Sequence, residues 1–317
     1  MIVAADAPHP GGMMRTLLVL AITLAPAMAH ALDLPVRLPD GATWTQKSVH
    51  SRNDVRGGAS KSNTATSVIR MTYRQDGPVG LVRQDFISFD VEGVEGDELK
   101  ALADQAKLIY PAVIEVDETL RPSRVRDWDR VREIILAAIG AGVTDPRALE
   151  AVSANYTKMD DVQAAALFRE QGLVALGQGT GLELDETHQY EDEIPNILGG
   201  PPIKTVGAFR LESIDETKGS AVVTWAQEPD RASLNASLKV SMAAMAARLA
   251  PEQRAQADVL FVGLTLERAE MCRYEIDIPT GLAATTDCTV EIKSGLKGQL
   301  AQRTDRWIVT QSLTEPQ

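Results

Sequence analysis

Two cysteines at mirror positions about a turn constrain the fold of this chain more than any other feature of its sequence. Cys272 and Cys288 flank Ile278-Pro279-Thr280-Gly281, which suits a type I turn because the proline pre-sets φ and the glycine can adopt a left-handed conformation. Pairing Ile278 with Leu282 across this turn places the two cysteines opposite each other. The spacing therefore predicts an antiparallel hairpin.

The alternation of side chains along the hairpin agrees with that register. Tyr274 and Ile276 share a face with Cys272, whereas Arg273 and Glu275 face the other way. We therefore expect a structural disulfide that contributes about 3 kcal/mol through loop closure. Because this register makes the cysteines a hydrogen-bonded pair, which is wider than a disulfide prefers, we also expect a one-residue bulge or a strong twist nearby.

Strand patterns occupy both halves of the chain, and helical patterns lie between and within them. Three strands are predicted from Leu34 to Val91, and another hairpin follows over 111–125. Amphipathic helices are predicted to begin at the N-caps Asp127, Thr144 and Asp160. The resulting fold class is α+β, with an antiparallel, curved sheet or sheets covered by amphipathic helices.

Short matches between the two strand-rich halves suggest a duplicated ββ-α-ββ unit as a further hypothesis. Glu115-Val116-Asp117 resembles Glu275-Ile276-Asp277, and both precede a turn and a return strand. The predicted organisation comprises a cleavable signal peptide, an N-terminal strand-rich half, a helical connector and a C-terminal strand-rich half that contains the cysteine hairpin. These four segments span residues 1–31, 32–143, 144–184 and 185–317.

The N-terminal segment has the three parts of a secretory signal. Arg15 precedes the apolar run Leu17–Ala25, and Ala29-His30-Ala31 fits a signal-peptidase site. The apolar run is shorter than the roughly 20 residues that a bilayer core requires. We therefore expect a bacterial periplasmic or secreted protein after cleavage near Ala31, without a transmembrane segment.

Charge and motifs restrict the classes of function. The net charge of -12 repels phosphate backbones, so nucleic acid is not expected as a partner. His50 and His188 are the only histidines beyond the predicted leader, and neither lies in a catalytic or zinc-binding motif. The sequence predicts no cofactor, no metal site and no catalytic residue. It favours a non-enzymatic role and leaves the enzymatic one open.

One polar cluster nevertheless stands out. His188, Tyr190 and Asp192 would share one face of a strand, as part of a divalent-metal site or as a solvated acidic strand. The second interpretation is favoured because no further ligand group is identifiable. A periplasmic hydrolase with an unfamiliar site around His188 remains the alternative to a binding function.

The preferred hypothesis is an exported, non-enzymatic periplasmic binding or envelope-associated protein. Its partner would be an apolar small molecule held between sheet and helices, or another envelope protein. A structural or adaptor role is a third hypothesis, and no feature indicates the oligomeric state. The hypothesis rests on the export signal, the lack of catalytic motifs and the two-layer pattern. The expected sheet with one apolar face and covering helices resembles, in general architecture only, the periplasmic half-barrel carriers of lipoproteins and lipids.

Overall fold

A computed structural model describes most of the chain beyond the predicted signal peptide. The described residues belong to one compact unit. The predicted signal peptide and its cleavage site lie outside the described residues. The described residues are 32, 34–118, 120–142, 146–165, 167–168, 181–194, 201–247, 265–296 and 299–314.

In the described part of the chain, eleven antiparallel strands form a single sheet in the order β5-β4-β3-β2-β1-β11-β10-β9-β8-β7-β6. Strands that are neighbours in sequence pair with each other, except that β5 and β6 form the two edges of the sheet. The pairing of β1 with β11 joins the two halves of the chain. The strands are β1 Thr43–Arg56, β2 Ala59–Asp76, β3 Val79–Val91, β4 Ala112–Val116, β5 Pro122–Arg126, β6 Thr187–Ile194, β7 Ile203–Asp215, β8 Ser220–Pro229, β9 Thr265–Asp277, β10 Ala283–Leu296 and β11 Gln299–Leu313.

Within the described residues, five short helices interrupt the strand succession: α1 Gly96–Ile109, α2 Trp128–Gly142, α3 Pro146–Lys158, α4 Asp161–Ala164 and α5 Arg231–Ala247. Asp160 caps α4 as predicted, because its carboxylate accepts a hydrogen bond from the Gln163 backbone N–H at 2.7 Å. The helix predicted after Asp127 begins at Trp128, and the Asp127 carbonyl accepts the first helical hydrogen bond from the Val131 N–H at 3.2 Å, although its φ of 57° departs from the extended conformation usual for an N-cap. Thr144 lies outside the described residues.

The predicted α+β class is wrong as a description of the whole, because one large sheet dominates and the helices are short. The hypothesis of antiparallel sheets covered by helices, and the likeness to half-barrel carriers that rested on it, are corrected accordingly. A duplicated ββ-α-ββ unit does not describe the sheet either. It leaves β1, β6 and β11 unassigned, and β11 joins the two halves through β1. The physical reason is that periodicity identifies each strand but not the long-range pairing that merges them.

The predicted cysteine hairpin is confirmed. Cys272 on β9 lies directly opposite Cys288 on β10, and the two form a disulfide with a Cα–Cα distance of 4.0 Å. A bulge at Ala283 shifts the register between the turn and the cysteines, which agrees with the expected irregularity. Gly281 has a φ of 70°, as the turn requires.

Apolar side chains collect on one face of the sheet, here called the core face. One cluster, around Trp44, Met71 and Ile114, joins β1–β5 to α2 and α4. The other joins β7–β10 to Leu34 and Leu182, which lie outside the named strands. Leu34 and Leu182 therefore extend the apolar core of the second half-sheet beyond its strands.

Candidate functional site

One row of side chains crosses seven neighbouring strands on the core face. The strand register determines which residues belong to this row, because paired residues in adjacent strands point to the same side. We call it the aromatic row; read from β6 to β1, it consists of His188, Phe209, Trp225, Cys272, Cys288, Trp307 and His50. Six strand spacings of about 4.8 Å make it roughly 29 Å long. Apart from Cys272, its members are only partly buried, so the row presents an accessible surface.

The β6 end of the row is an aromatic cluster centred on Tyr190. Its ring stacks on Phe209 with 5.2 Å between centroids, and its hydroxyl accepts a hydrogen bond of 2.6 Å from Trp225 Nε1. Gly207 makes this possible, because a Cβ there would lie 2.2 Å from Cζ of Tyr190. The absence of a side chain at Gly207 lets the tyrosine ring lie flat over β7.

Both tyrosines on this part of the core face are held in their neutral form. Burial raises the pKa of Tyr190, and the nearby carboxylates of Asp192 and Glu270 add to the effect against the hydrogen bond from Trp225. Burial likewise raises the pKa of Tyr274 well above its usual value, again with Glu270 adding to it. Neither phenol is therefore suited to act as a base near neutral pH.

The β1 end of the row carries a buried carboxylate with three cationic or aromatic neighbours. His50 stacks on Trp307 with 4.7 Å between ring centroids, and its Nε2 lies 3.2 Å from Asp305 Oδ1. Arg52 Nε donates to the same oxygen at 2.8 Å, and Arg303 Nε donates to Oδ2 at 2.5 Å. The side chain of Asp305 is only 2% exposed, so its charge depends on these partners.

Two opposing effects set the pKa of Asp305. Burial is the larger single effect and by itself would raise the pKa. Hydrogen bonds from Arg303 and Arg52, with a smaller contribution from His50, together outweigh it and hold the pKa below the usual value of an aspartate. Asp305 therefore remains ionised at neutral pH.

A second ion pair lies on the core face two strands from Asp305, with Val290 of β10 between them. Arg268 donates to Glu270 at 2.8 Å across alternate positions of β9. Together with Arg52, Arg303 and Asp305 these residues form what we call the charged cluster. It borders the aromatic row, because Glu270 and Asp305 each lie two residues along their strands from a member of that row. The core face thus combines an apolar strip with guanidinium groups.

The predicted cluster of His188, Tyr190 and Asp192 lies on β6, but hydrogen bonds do not draw its members together. His188 Nε2 lies 3.8 Å from a carboxylate oxygen of Glu186. The carboxylate of Asp192 accepts a hydrogen bond from the Glu193 backbone at 2.8 Å. Within the described ranges, no three His, Cys, Asp or Glu side chains are grouped so that they could hold a metal ion.

Sequence reasoning missed most of the charged cluster. His50 and Arg52 alternate along β1, which signals that they share a face, but nothing local connects them to Asp305, more than 250 residues later. Phe209, Trp225 and Trp307 likewise become neighbours only when the register of several strands is known.

A small cavity lies elsewhere on the sheet, near the turn of the cysteine hairpin. Its volume is about 180 Å³, and its lining includes Trp44, Asp277, Leu282 and Gln311. Cavities that enclose drug-sized ligands start at about 300 Å³. This cavity is too small to enclose such a ligand, so the open core face is the better candidate site.

Comparison with known proteins does not assign the chain to a family. No protein-family model matches the chain, and no curated protein matches it either. Within the described ranges, none of the helices has the length and apolar composition needed to cross a membrane.

Several solved structures show a weak likeness. DynF from the dynemicin biosynthesis pathway of Micromonospora chersina is 9% identical, with 90% of this chain and 86% of DynF covered and a TM-score of 0.20. Pseudomonas aeruginosa OccK5 (OpdH) is 7% identical, with coverages of 87% and 98% and a TM-score of 0.23. Ail, the attachment invasion locus protein of Yersinia pestis, is 5% identical, with coverages of 86% and 100% and a TM-score of 0.15. Likenesses at this level carry no argument about function.

Proposed function

We propose that this chain is an exported, non-enzymatic envelope-associated protein that binds an apolar molecule against the core face of its sheet. The observation that carries the proposal is the aromatic row, a strip of partly exposed rings and a disulfide that continues from the buried core around Leu211 and Tyr274. Export is inferred from the predicted signal peptide, and the periplasm or the cell exterior is the proposed location.

The physical basis is the hydrophobic effect acting on an extended strip. The segment from Trp225 on β8 to His50 on β1 spans four strand spacings, or roughly 19 Å. Covering partly exposed rings yields about 25 cal/mol for each Å² of apolar surface removed from water. A long, narrow apolar molecule fits such a strip better than a compact one.

The polar groups around the row support binding rather than catalysis. The tyrosines are neutral, and Asp305 is engaged by three hydrogen-bond partners. Among the described residues, no serine or threonine hydroxyl is recorded as a hydrogen-bond partner of His50 or His188. A nucleophile activated by histidine needs such a contact.

Fluorescence titration with the neutral apolar probe N-phenyl-1-naphthylamine tests the proposal. Trp225→Gln removes apolar surface from the row, and we expect it to weaken probe binding about tenfold. Met271→Gln is the matched control, because Met271 is 63% exposed and precedes Cys272 on β9, so it faces the other side of the sheet. Equal weakening by both variants, at unchanged circular dichroism, would contradict the proposal.

Native mass spectrometry of protein purified from a bacterial periplasm identifies the natural ligand class. We expect a co-purifying apolar molecule whose mass disappears after organic extraction. A clean apoprotein mass, together with absent probe binding, would instead favour another envelope protein as the partner.

A further inference from the structure

We propose that the bound molecule is an acyl amphiphile with an anionic headgroup, and that Arg52 and Arg303 bind this headgroup at the β1–β11 end of the aromatic row. The inference rests on the proposed function, since the acyl chain would lie along the row. It adds the chemical class of the ligand and the residues that recognise it.

The geometry around Asp305 leaves both guanidinium groups available. A carboxylate usually engages one arginine through two parallel hydrogen bonds. Here each arginine uses only its Nε, so Arg52 takes Oδ1 and Arg303 takes Oδ2. Within the described part of the chain, the terminal amino groups of these two arginines make no hydrogen bond. The buried aspartate therefore fixes two guanidinium groups side by side with donors to spare.

The solvent exposure of Arg52 and Arg303 also supports their role in binding the headgroup. The side chains of Arg52 and Arg303 are 36% and 39% exposed, whereas that of Asp305 is 2% exposed. An anion can therefore reach the arginines without displacing the carboxylate beneath them. Two pre-positioned guanidinium groups match the two oxygens of a carboxylate headgroup.

The local charge also favours an anion. The charged cluster contains three arginines and two carboxylates, so it carries an excess positive charge in a chain whose net charge is -12. Next to the cluster, Asp54 on β1 lies opposite Arg303 on β11 and Lys61 on β2. The charges of Asp54 and Lys61 have opposite signs and cancel, so the excess positive charge is unchanged. A positive region of this kind on an otherwise acidic surface attracts anionic ligands.

The position of the arginines suits an amphiphile rather than a free anion. Arg52 follows His50 by two residues on β1, which corresponds to about 7 Å along the strand. Arg303 precedes Trp307 by four residues on β11, or about 14 Å. A headgroup held between the arginines thus leaves its chain next to the stacked rings.

Dodecanoate and dodecanol provide a matched pair of ligands that differ mainly in headgroup charge. At about pH 8 and low salt, where the acid is ionised, both compete with N-phenyl-1-naphthylamine for the wild-type protein. We expect dodecanoate to displace the probe about tenfold more effectively, because its headgroup adds charge-assisted hydrogen bonds. Equal displacement by acid and alcohol would overturn the headgroup assignment and leave the proposed function intact.

Three arginine variants locate the headgroup. Arg303→Gln and Arg52→Gln should each reduce the affinity for dodecanoate about tenfold, while the affinity for dodecanol stays unchanged. Arg306→Gln is the matched control, since Arg306 lies on the same strand but bonds to Asp287 on the opposite face. If Arg306→Gln loses the preference as strongly as Arg303→Gln, the charge effect is non-specific and the assignment fails. Circular dichroism and urea unfolding verify that each variant is folded.

Two further outcomes would contradict the proposal of an acyl amphiphile. Displacement of the probe by acetate at the same concentrations would identify a free small anion as the occupant and overturn the proposal. If the probe itself does not bind the wild-type protein, and neither does dodecanoate by calorimetry, the proposed function and this inference fail together.

Discussion

Replacing Asp305 by asparagine tests whether the buried carboxylate anchors the charged cluster. The change preserves shape but removes a charge that receives three polar contacts between 2.5 and 3.2 Å. Each hydrogen bond to a charged group contributes about 1.5–3 kcal/mol. Asparagine retains one acceptor oxygen, and the two arginines are 36% and 39% exposed and regain water. We therefore expect a loss of about 2–4 kcal/mol in the free energy of unfolding.

Urea unfolding followed by circular dichroism at neutral pH measures this loss. Asp287→Asn is the control, because Asp287 pairs with Arg306 in the neighbouring strand but its side chain is 36% exposed. Exposed ion pairs contribute about 0–1 kcal/mol, so the control should change little. The reasoning is refuted if Asp305→Asn destabilises the protein no more than Asp287→Asn does.

The pH dependence of the free energy of unfolding provides a second measurement of the contribution of Asp305. The pKa of Asp305 is lowered in the folded protein, where hydrogen bonds from two arginines outweigh the effect of burial. Its contribution is therefore complete above the pKa of an unfolded aspartate, about 4, and is lost as the pH falls through the lower folded value. The stability difference between wild type and Asp305→Asn should be constant near neutrality and shrink below about pH 4. A difference that stays constant in acid would contradict the assigned direction.

Two further stability predictions test the packing around the aromatic row. Replacing Cys272 and Cys288 together by serine should cost about 3 kcal/mol in urea unfolding, and an unchanged midpoint would show that the disulfide adds little. Gly207→Ala should cost about 1–3 kcal/mol and shift the tryptophan emission, because the new Cβ displaces Tyr190. Gly140→Ala in α2, where a Cβ has open space, should instead stabilise the protein by about 0.5–1 kcal/mol. A Gly207→Ala variant more stable than Gly140→Ala would contradict the close packing of Tyr190 over Gly207.

The sequence predicted the local elements of this fold well because their signals are local. Alternation along residues 272–292 and the turn at 278–281 located β9, β10 and the disulfide. The capping residue Asp160 marked the start of α4. In each case the deciding residues lie within about twenty positions of one another, where periodicity and turn chemistry determine the structure.

The architecture and the candidate site depend on a pairing that no local pattern reveals. β1 and β11 lie at opposite ends of the chain, and their contact turns two strand-rich halves into one sheet. Asp305 meets His50 and Arg52 only through that pairing. His188, by contrast, was conspicuous in the sequence because histidines are scarce. Scarcity indicates which residue types are available for chemistry, but it does not indicate which of them are brought together.

The β1–β11 pairing also explains why the charges around Asp305 lie where these two strands meet. Long-range pairing costs chain entropy, so the residues at the seam need compensating interactions. Arg52 and His50 on β1 contact Asp305 on β11 across the seam, and Arg303 on β11 bonds to the same carboxylate. The carboxylate of Asp305 has about four lone-pair sites, so it cannot accept from every N–H of two guanidinium groups. Each arginine contacts it through Nε, and the terminal amino groups are the donors that the proposed headgroup would engage.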